Sequence, residues 1–318
     1  MTTVPIIFAI DRNVVMQCGV TLTSLLLNAR EETFYDIYIL HSQQGLPEND
    51  RKRILTAFPG TEHYRLSFID TGNAFSEAEG LATGHITTAT YYRLAIPDLF
   101  PQFERVIYSD IDIIFQDDLS ELFHLMKDDP GLLAAATDFI DLSRIDDTLS
   151  RVRDAGSLKN PYFNAGFLVM NLDGLRKEEI RSQLHHHAGI KYEQNDQDVL
   201  NIVCKGRVRI LPPVCNFQPN QFAHHLWGKK VNGARFKQLF AKGTLHYTGP
   251  HKPWNSLECV APDAWWHYYR QSPFYEDGFY FKYIYDQIES ARNDYRSRSN
   301  SDLLRRVLVN IKRALVKK

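Results

Sequence analysis

The sequence predicts an α/β domain, a parallel sheet with helices on both faces. Short apolar runs rich in β-branched residues alternate with amphipathic ones, the chain begins βαβαβ, and no repeat of fixed period competes with that reading. Pro5–Ile10 is an apolar run of strand length, and Met16–Asn28 behind it is amphipathic. Tyr35–His41 and Glu48–Phe58 repeat the pair, and Arg65–Ile69 gives a third strand. Further strands are expected at Arg105–Ser109, Leu133–Thr137, Gly166–Asn171, Val208–Leu211 and Thr244–Tyr247, with helices near Leu119–Met126, Leu172–His187 and Asp196–Lys205. Beyond Pro253 the composition turns aromatic, from Trp254 to Tyr285, as expected of a helical region packed on the sheet domain.

Charge divides the chain again. Residues 292–318 hold nine basic and two acidic side chains, a net of +7, so the formal charge of -1 for the whole chain leaves -8 on residues 1–291. Within that tail, Arg292–Ser301 reads as a polar linker. Over 301–318, Leu304, Val307, Leu308, Ile311, Ala314 and Leu315 share an arc of a helix bordered by Arg305, Arg306, Lys312, Arg313 and Lys317. This is the pattern of an amphipathic helix that docks on an anionic membrane surface, its alternative being a helix packed on the body or a partner. The expected divisions are therefore 1–255, 256–291 and 292–318.

Several classes are disfavoured. The run Val4–Ile10 is too short for a membrane span and lacks the basic flank of a signal peptide. Cys18, Cys204, Cys215 and Cys259 match no zinc or redox spacing and read as reduced thiols of a cytoplasmic protein, peripherally held at the inner face of the membrane. There is no Walker loop and no Gly-x-Gly-x-x-Gly, and no nucleic acid is expected as a partner.

In open α/β sheets ligands gather outside the carboxyl ends of the strands. The polar groups at those points are Asp11 and Asn13, Asp110 and Asp112, and His246. At i, i+2 spacing on an extended strand, Asp110 and Asp112 point to one face and suit one hard divalent cation. A bare Asp-x-Asp is weak, and Asp196-Gln197-Asp198 is another. His246 is followed by Gly249, Lys252 and Trp254, and a Gly-containing turn lets backbone N–H groups approach an anion while the lysine adds charge. Two carboxylates and an imidazole form a plausible Mn²⁺ set, with Mg²⁺ as the alternative.

In order along the chain, Phe8-Ala9-Ile10-Asp11-Arg12-Asn13, Thr90-Tyr91-Tyr92-Arg93, Ile107-Tyr108-Ser109-Asp110-Ile111-Asp112, Tyr162-Phe163-Asn164-Ala165-Gly166, Asn195-Asp196-Gln197-Asp198 and His246-Tyr247-Thr248-Gly249 through Lys252-Pro253-Trp254 resemble the retaining nucleotide-sugar glycosyltransferases of family 8. The resemblance spans about residues 4–255 and is nearest in style to bacterial lipopolysaccharide galactosyl- and glucosyltransferases. It implies the GT-A fold, a mixed, mostly parallel sheet flanked by helices. It also implies that Ala9, Asp11, Asn13 and Ile111 contact the nucleotide, that Asp110, Asp112 and His246 ligate the metal, and that Gly249 and Lys252 meet the diphosphate. Arg93, Asn164 and Asp196 would hold the donor sugar, and Gln197 would sit near the anomeric carbon. His85 matches a position near the active site, and relatives often place an aromatic residue against the uracil where this chain has Val14.

The implied reaction moves galactose or glucose from UDP to a glycan or glycolipid acceptor with an α linkage. Same-face attack is favoured over a covalent intermediate, because the Gln197 amide is a poor nucleophile; Asp196 as transient nucleophile is the runner-up. Each residue has a structural alternative: Arg93 an ion-pair partner, Asn164 a turn residue, Asp196 a helix N-cap. The rival functions are a glycoside hydrolase, a protein- or glycogen-type transferase, and a non-catalytic nucleotide-sugar-binding module.

Overall fold

The computed structural model describes residues 1–72, 88–138, 162–226, 242–290, 292–293 and 295–296. His85 and the amphipathic segment 301–318 lie outside the described residues. Among the described residues no helix is long and apolar enough to cross a membrane, and all four cysteines are free thiols.

The chain opens with β1 (Thr2–Ala9), α1 (Val15–Leu27), β2 (Thr33–His41), α2 (Glu48–Ala57) and β3 (Tyr64–Asp70). It continues through α3 (Tyr92–Leu99), β4 (Arg105–Ser109), β5 (Ile113–Phe115), α4 (Ser120–His124), β6 (Leu133–Thr137) and β7 (Phe163–Asn171). Then come α5 (Leu172–Leu175), α6 (Glu178–Ala188), α7 (Asp196–Val203), β8 (Val208–Leu211), α8 (Pro219–Leu226), β9 (Thr244–His246) and α9 (Asp263–Gln271). Residues 277–290 are also helical.

Among the described residues seven strands form the main sheet, in the order β3-β2-β1-β4-β7-β6-β8. β1 runs parallel to β2 and β4, β2 to β3 and β6 to β8, while β7 is antiparallel to both its neighbours. The sheet is therefore mixed and mostly parallel. Alternate residues of its strands enter opposite cores, as the two-residue period of a strand requires. Ile7, Tyr38 and Tyr108 face one core with Leu94, Leu172, Leu184 and Val199 from the helices, and Ile6, Ile37 and Ile107 face the other with Cys18, Leu22 and Leu25 of α1. Burial on both faces explains why β1 and β2 read as near-continuous apolar runs.

Two expectations are corrected. The single helix over Leu172–His187 is two helices. The Asn171 side chain accepts from Gly174 N and caps α5, and Lys177, with ψ of 133°, starts α6 on a new axis. Leu172, Leu175, Ile180 and Leu184 keep helical spacing across the break, which hides it in the sequence. Asp110 and Asp112 do not lie on one extended strand either. The chain bends between β4 and β5, and β5 leaves the main sheet to pair antiparallel with β9, Ile113 opposite His246.

That two-stranded ribbon rests on the aromatic C-terminal region. Ile114 and Leu245 share a buried cluster with Val20, Tyr247, Trp265, Trp266 and Tyr269. Trp265 stacks on Tyr269 at 5.2 Å and meets Trp266 edge-on at 4.8 Å. The aromatic run thus braces the strands that carry Asp112 and His246.

Candidate active site

Main-chain pairing fixes the central cluster. Tyr247 N donates to Asp112 O (2.9 Å) and His246 N to Phe217 O (2.8 Å), so the end of β9 lies against both the β4–β5 bend and the segment before α8. Asp110, Asp112 and His246 each present one ligand atom, all within 4.8 Å of one another. Nε2 of His246 is 3.2 Å from Asp112 Oδ1 and 3.9 Å from Asp110 Oδ2.

The tautomer of His246 follows from a chain of side-chain amides. Asp138, an acceptor when ionised, receives Asn164 Nδ2 at 3.2 Å, which leaves Asn164 Oδ1 to accept from Gly166 N and from Asn216 Nδ2, both at 2.9 Å. The oxygen of Asn216 then faces His246 Nδ1 at 3.0 Å, and Nδ1 must donate. In the neutral ring Nε2 carries its lone pair toward the two carboxylates, an arrangement that repels unless a cation lies between them.

The residues fit a divalent ion in other ways too. Gly166 leaves room beside the cluster, because a Cβ there would fall 2.2 Å from His246 Cε1 and 2.7 Å from Asp110 Oδ2. Two carboxylate oxygens and an imidazole nitrogen are donors suited to Mn²⁺. Lys252 Nζ is 2.5 Å from Asp112 Oδ2 and from Tyr247 O, so a side-chain cation already engages Asp112. Burial opposes ionisation of Asp112, yet Lys252, joined by His246 when its ring is protonated, outweighs it and holds the carboxyl well below the usual range.

Arg93, on α3 and 4% exposed, joins this cluster to a second one. Its guanidinium lies 2.8 Å from Asp110 Oδ1 and 2.8 Å from Asp196 Oδ2, donates to Ala165 O at 2.5 Å, and covers the Tyr108 ring at 4.5 Å. Thr90 Oγ1 donates to the other oxygen of Asp196 at 2.9 Å. Burial raises the pKa of Asp196 to about 6 against the opposing pull of Arg93. Asp196 is the first residue of α7 rather than its cap; the preceding Asn195 has φ of 51°, a region non-glycine residues rarely occupy. Gln197 accepts from Ala165 N at 2.9 Å and donates to Asp138 at 2.7 Å. Asp198 points away, holding Tyr162 OH and Gln194 N.

Two cavities meet at the acidic pair. The larger, about 920 Å³, is lined by Asn164, Asp196, Gln197 and Gly249 among others, and the smaller, about 290 Å³, by Ala9, Asp11, Asn13, Val14 and Ile111. Arg93, Asp110, Asp112, Lys252 and Trp254 line both, and His246 lines the larger. Asp11 accepts from Asn13 N at 2.8 Å and starts a 3-10 turn at the mouth of the smaller one. Gly249 has φ of +80°, which a glycine adopts freely, and Asn220 on α8 ties its loop down through Thr248 O and His251 O. Every candidate residue within the described residues thus lines one cavity or both.

Asp138, Asn216 and Gln218 were not singled out by the sequence. Asp138 follows β6 directly, so the strand-end rule that finds Asp110 would also have found it. Asn216 ends a 3-10 turn and Gln218 follows just beyond it, positions with no such mark.

Comparison with known proteins accords with this geometry. The model of Glycosyl transferase family 8 matches residues 5–258. General stress protein A of Bacillus subtilis is 28% identical over 285 residues, 83% of this chain and 92% of that protein. The lipopolysaccharide 1,2-glucosyltransferase of Escherichia coli is 28% identical over 264 residues, 78% of this chain and 72% of that protein. The galactosyltransferase LgtC, solved with donor and acceptor sugar analogs, superimposes with a TM-score of 0.67 at 22% identity over 87% of this chain and 99% of its own, and so shares the GT-A sheet and its helices. With the family model spanning the main sheet, the β5–β9 ribbon and both cavities, the chain belongs to glycosyltransferase family 8.

Proposed function

We propose that the protein transfers a hexose, galactose or glucose, from UDP to a hydroxyl of a glycan acceptor with retention, giving an α linkage. The observation that carries this reading is the position of Asp110 and Asp112 where two cavities meet, one of nucleoside size and one large enough for two sugars. In this reading uridine occupies the smaller cavity against Ala9, Asp11, Asn13, Ile111 and the aliphatic Val14. The diphosphate crosses the acidic pair, and the hexose enters the larger cavity beside Arg93, Asn164, Asp196 and Gln197. The acceptor is a glycan of the lipopolysaccharide-core type, a choice supported by the Escherichia coli relative.

Asp110, Asp112 and His246 hold the ion, which we take to be Mn²⁺. Such an ion neutralises the diphosphate and makes it a better leaving group. Lys252 and the backbone of the Gly249 turn contact the diphosphate oxygens. Arg93 and Asp196 form a buried, mutually neutralising pair whose outer edges meet sugar hydroxyls. One Asp196 oxygen accepts from Thr90 and the other, which no group donates to, is ion-paired with Arg93, while Gln197 is a neutral amide, so neither is a ready nucleophile. The acceptor hydroxyl therefore attacks from the face the phosphate leaves, and the departing phosphate oxygen takes its proton.

The test is UDP release from a set of UDP-sugars without acceptor. UDP-galactose or UDP-glucose is expected to be hydrolysed with Mn²⁺, to stop in EDTA and to resume on adding metal. Release from no UDP-hexose, or full activity of Asp112→Ala in excess EDTA, would overturn the proposal.

A further inference from the structure

Gln218 stands between the 3-10 turn Pro213–Asn216 and α8. The backbone at Phe217 is extended (φ -78°, ψ 124°), so the side chains of residues 216 and 218 leave the chain on one side and that of Phe217 on the other. Phe217 enters the aromatic cluster with Leu245 and Tyr247, and Asn216 reaches His246 and Asn164. Gln218 follows Asn216 and lines the larger cavity.

Its side chain differs from those of Asn164, Gln197 and Asn216 around it. Asn164, Gln197 and Asn216 are each bonded through both oxygen and nitrogen. Gln218 is 0% exposed, and neither end of its amide has a hydrogen-bond partner. A buried carboxamide without partners loses its hydration and gains nothing in exchange, while an apolar side chain of equal length would fill the same space without that penalty.

We propose that Gln218 is a specificity-determining residue of the larger cavity, its amide binding neighbouring hydroxyls of a hexose through one donated and one accepted hydrogen bond. A hydroxyl both gives and takes, so a vicinal pair satisfies both ends of a carboxamide at once. Selectivity follows, because an analogue lacking one hydroxyl leaves part of a buried amide unpaired. The inference rests on the reading of this site as a hexosyltransferase. The hydroxyls belong to the donor hexose or to the acceptor sugar, and the experiment separates the two.

Gln218→Met keeps length and volume and removes both polar atoms. The melting temperature of this variant is expected to equal or exceed that of the wild type, while kcat/KM for transfer falls about tenfold or more and UDP affinity in calorimetry stays unchanged. Loss of stability with loss of activity marks a structural residue and overturns the proposal, as does an unchanged kcat/KM. If UDP-hexose hydrolysis without acceptor falls by the same factor, the contact is to the donor. If hydrolysis is kept and KM for acceptor rises, it is to the acceptor. A wild-type protein that turns over no UDP-hexose would bring down the functional reading and this inference together, whereas an active wild type matched by an equally active Q218M would bring down this inference alone.

Discussion

Nδ1 of His246 donates to the side-chain oxygen of Asn216, 3.0 Å away, and this bond turns Nε2 toward Asp110 and Asp112. Asn216→Leu removes the acceptor and frees the ring to rotate or change tautomer. Affinity for Mn²⁺ is expected to fall about 10- to 100-fold, the usual effect of losing a group that orients a ligating histidine. Free Mn²⁺ followed by electron paramagnetic resonance measures it, and an unchanged affinity would detach Asn216 from the site.

Gly166 sits where a methyl group would strike the imidazole. In Gly166→Ala the added carbon meets His246 Cε1 at 2.2 Å and Asp110 Oδ2 at 2.7 Å unless both move. Loss of metal-dependent UDP-sugar turnover is expected, with destabilisation of about 1–3 kcal/mol from overpacking. Denaturant unfolding and a Mn²⁺ titration on the same preparation test the two parts separately.

Asp196 makes stability depend on pH. Burial raises its pKa to about 6 from an unfolded value of 3.8. The folded state therefore holds a proton in that window that the unfolded state releases. The contribution is fully present below the unfolded pKa and is lost as pH rises through the folded one. In metal-free protein, wild type is expected to lose roughly 3 kcal/mol relative to Asp196→Asn between about pH 4 and pH 7. Parallel unfolding curves for the two proteins across that range would show that Asp196 ionises normally.

Asp196→Asn should also separate sugar from nucleotide. Its carboxylate faces Arg93 in the larger cavity, away from Asp11 and Asn13. Transfer is expected to drop by two orders of magnitude or more, about 3 kcal/mol of transition-state stabilisation, with UDP affinity nearly unchanged by calorimetry. A large loss of UDP affinity would put Asp196 at the nucleotide.

The product linkage should be α. The anomeric proton of the isolated product shows it by NMR, and a β coupling constant would contradict same-face attack.

The sequence made visible what local pattern encodes. Arg105–Ser109 and Leu133–Thr137 show their strands at both ends because apolar runs there stop at polar residues, and Asp110, Asp112 and His246 were legible as strand-end groups. Less visible was β5, a three-residue apolar run just past Asp112 that pairs with a strand far along the chain. α3 was missed because Pro97 lies inside it, and a proline argues against a helix interior. Asn216 and Gln218 acquire their roles from His246 and from a cavity wall, contacts that no periodicity records.

The β5–β9 ribbon also sets when the metal-binding chemistry can appear in the life of a polypeptide. A chain emerging from the ribosome displays Asp110 and Asp112 long before it contains His246, and the imidazole points at them only once β9 has zipped against β5 with Ile113 opposite His246. A slip of one residue would turn the ring to the other face of the ribbon. Contacts this distant in sequence carry a loop-closure cost and form late. Capture of an ion by all three ligands therefore marks the completion of the domain rather than its nucleation, and a nascent fragment ending before Thr244 lacks the site however well its first strands have folded.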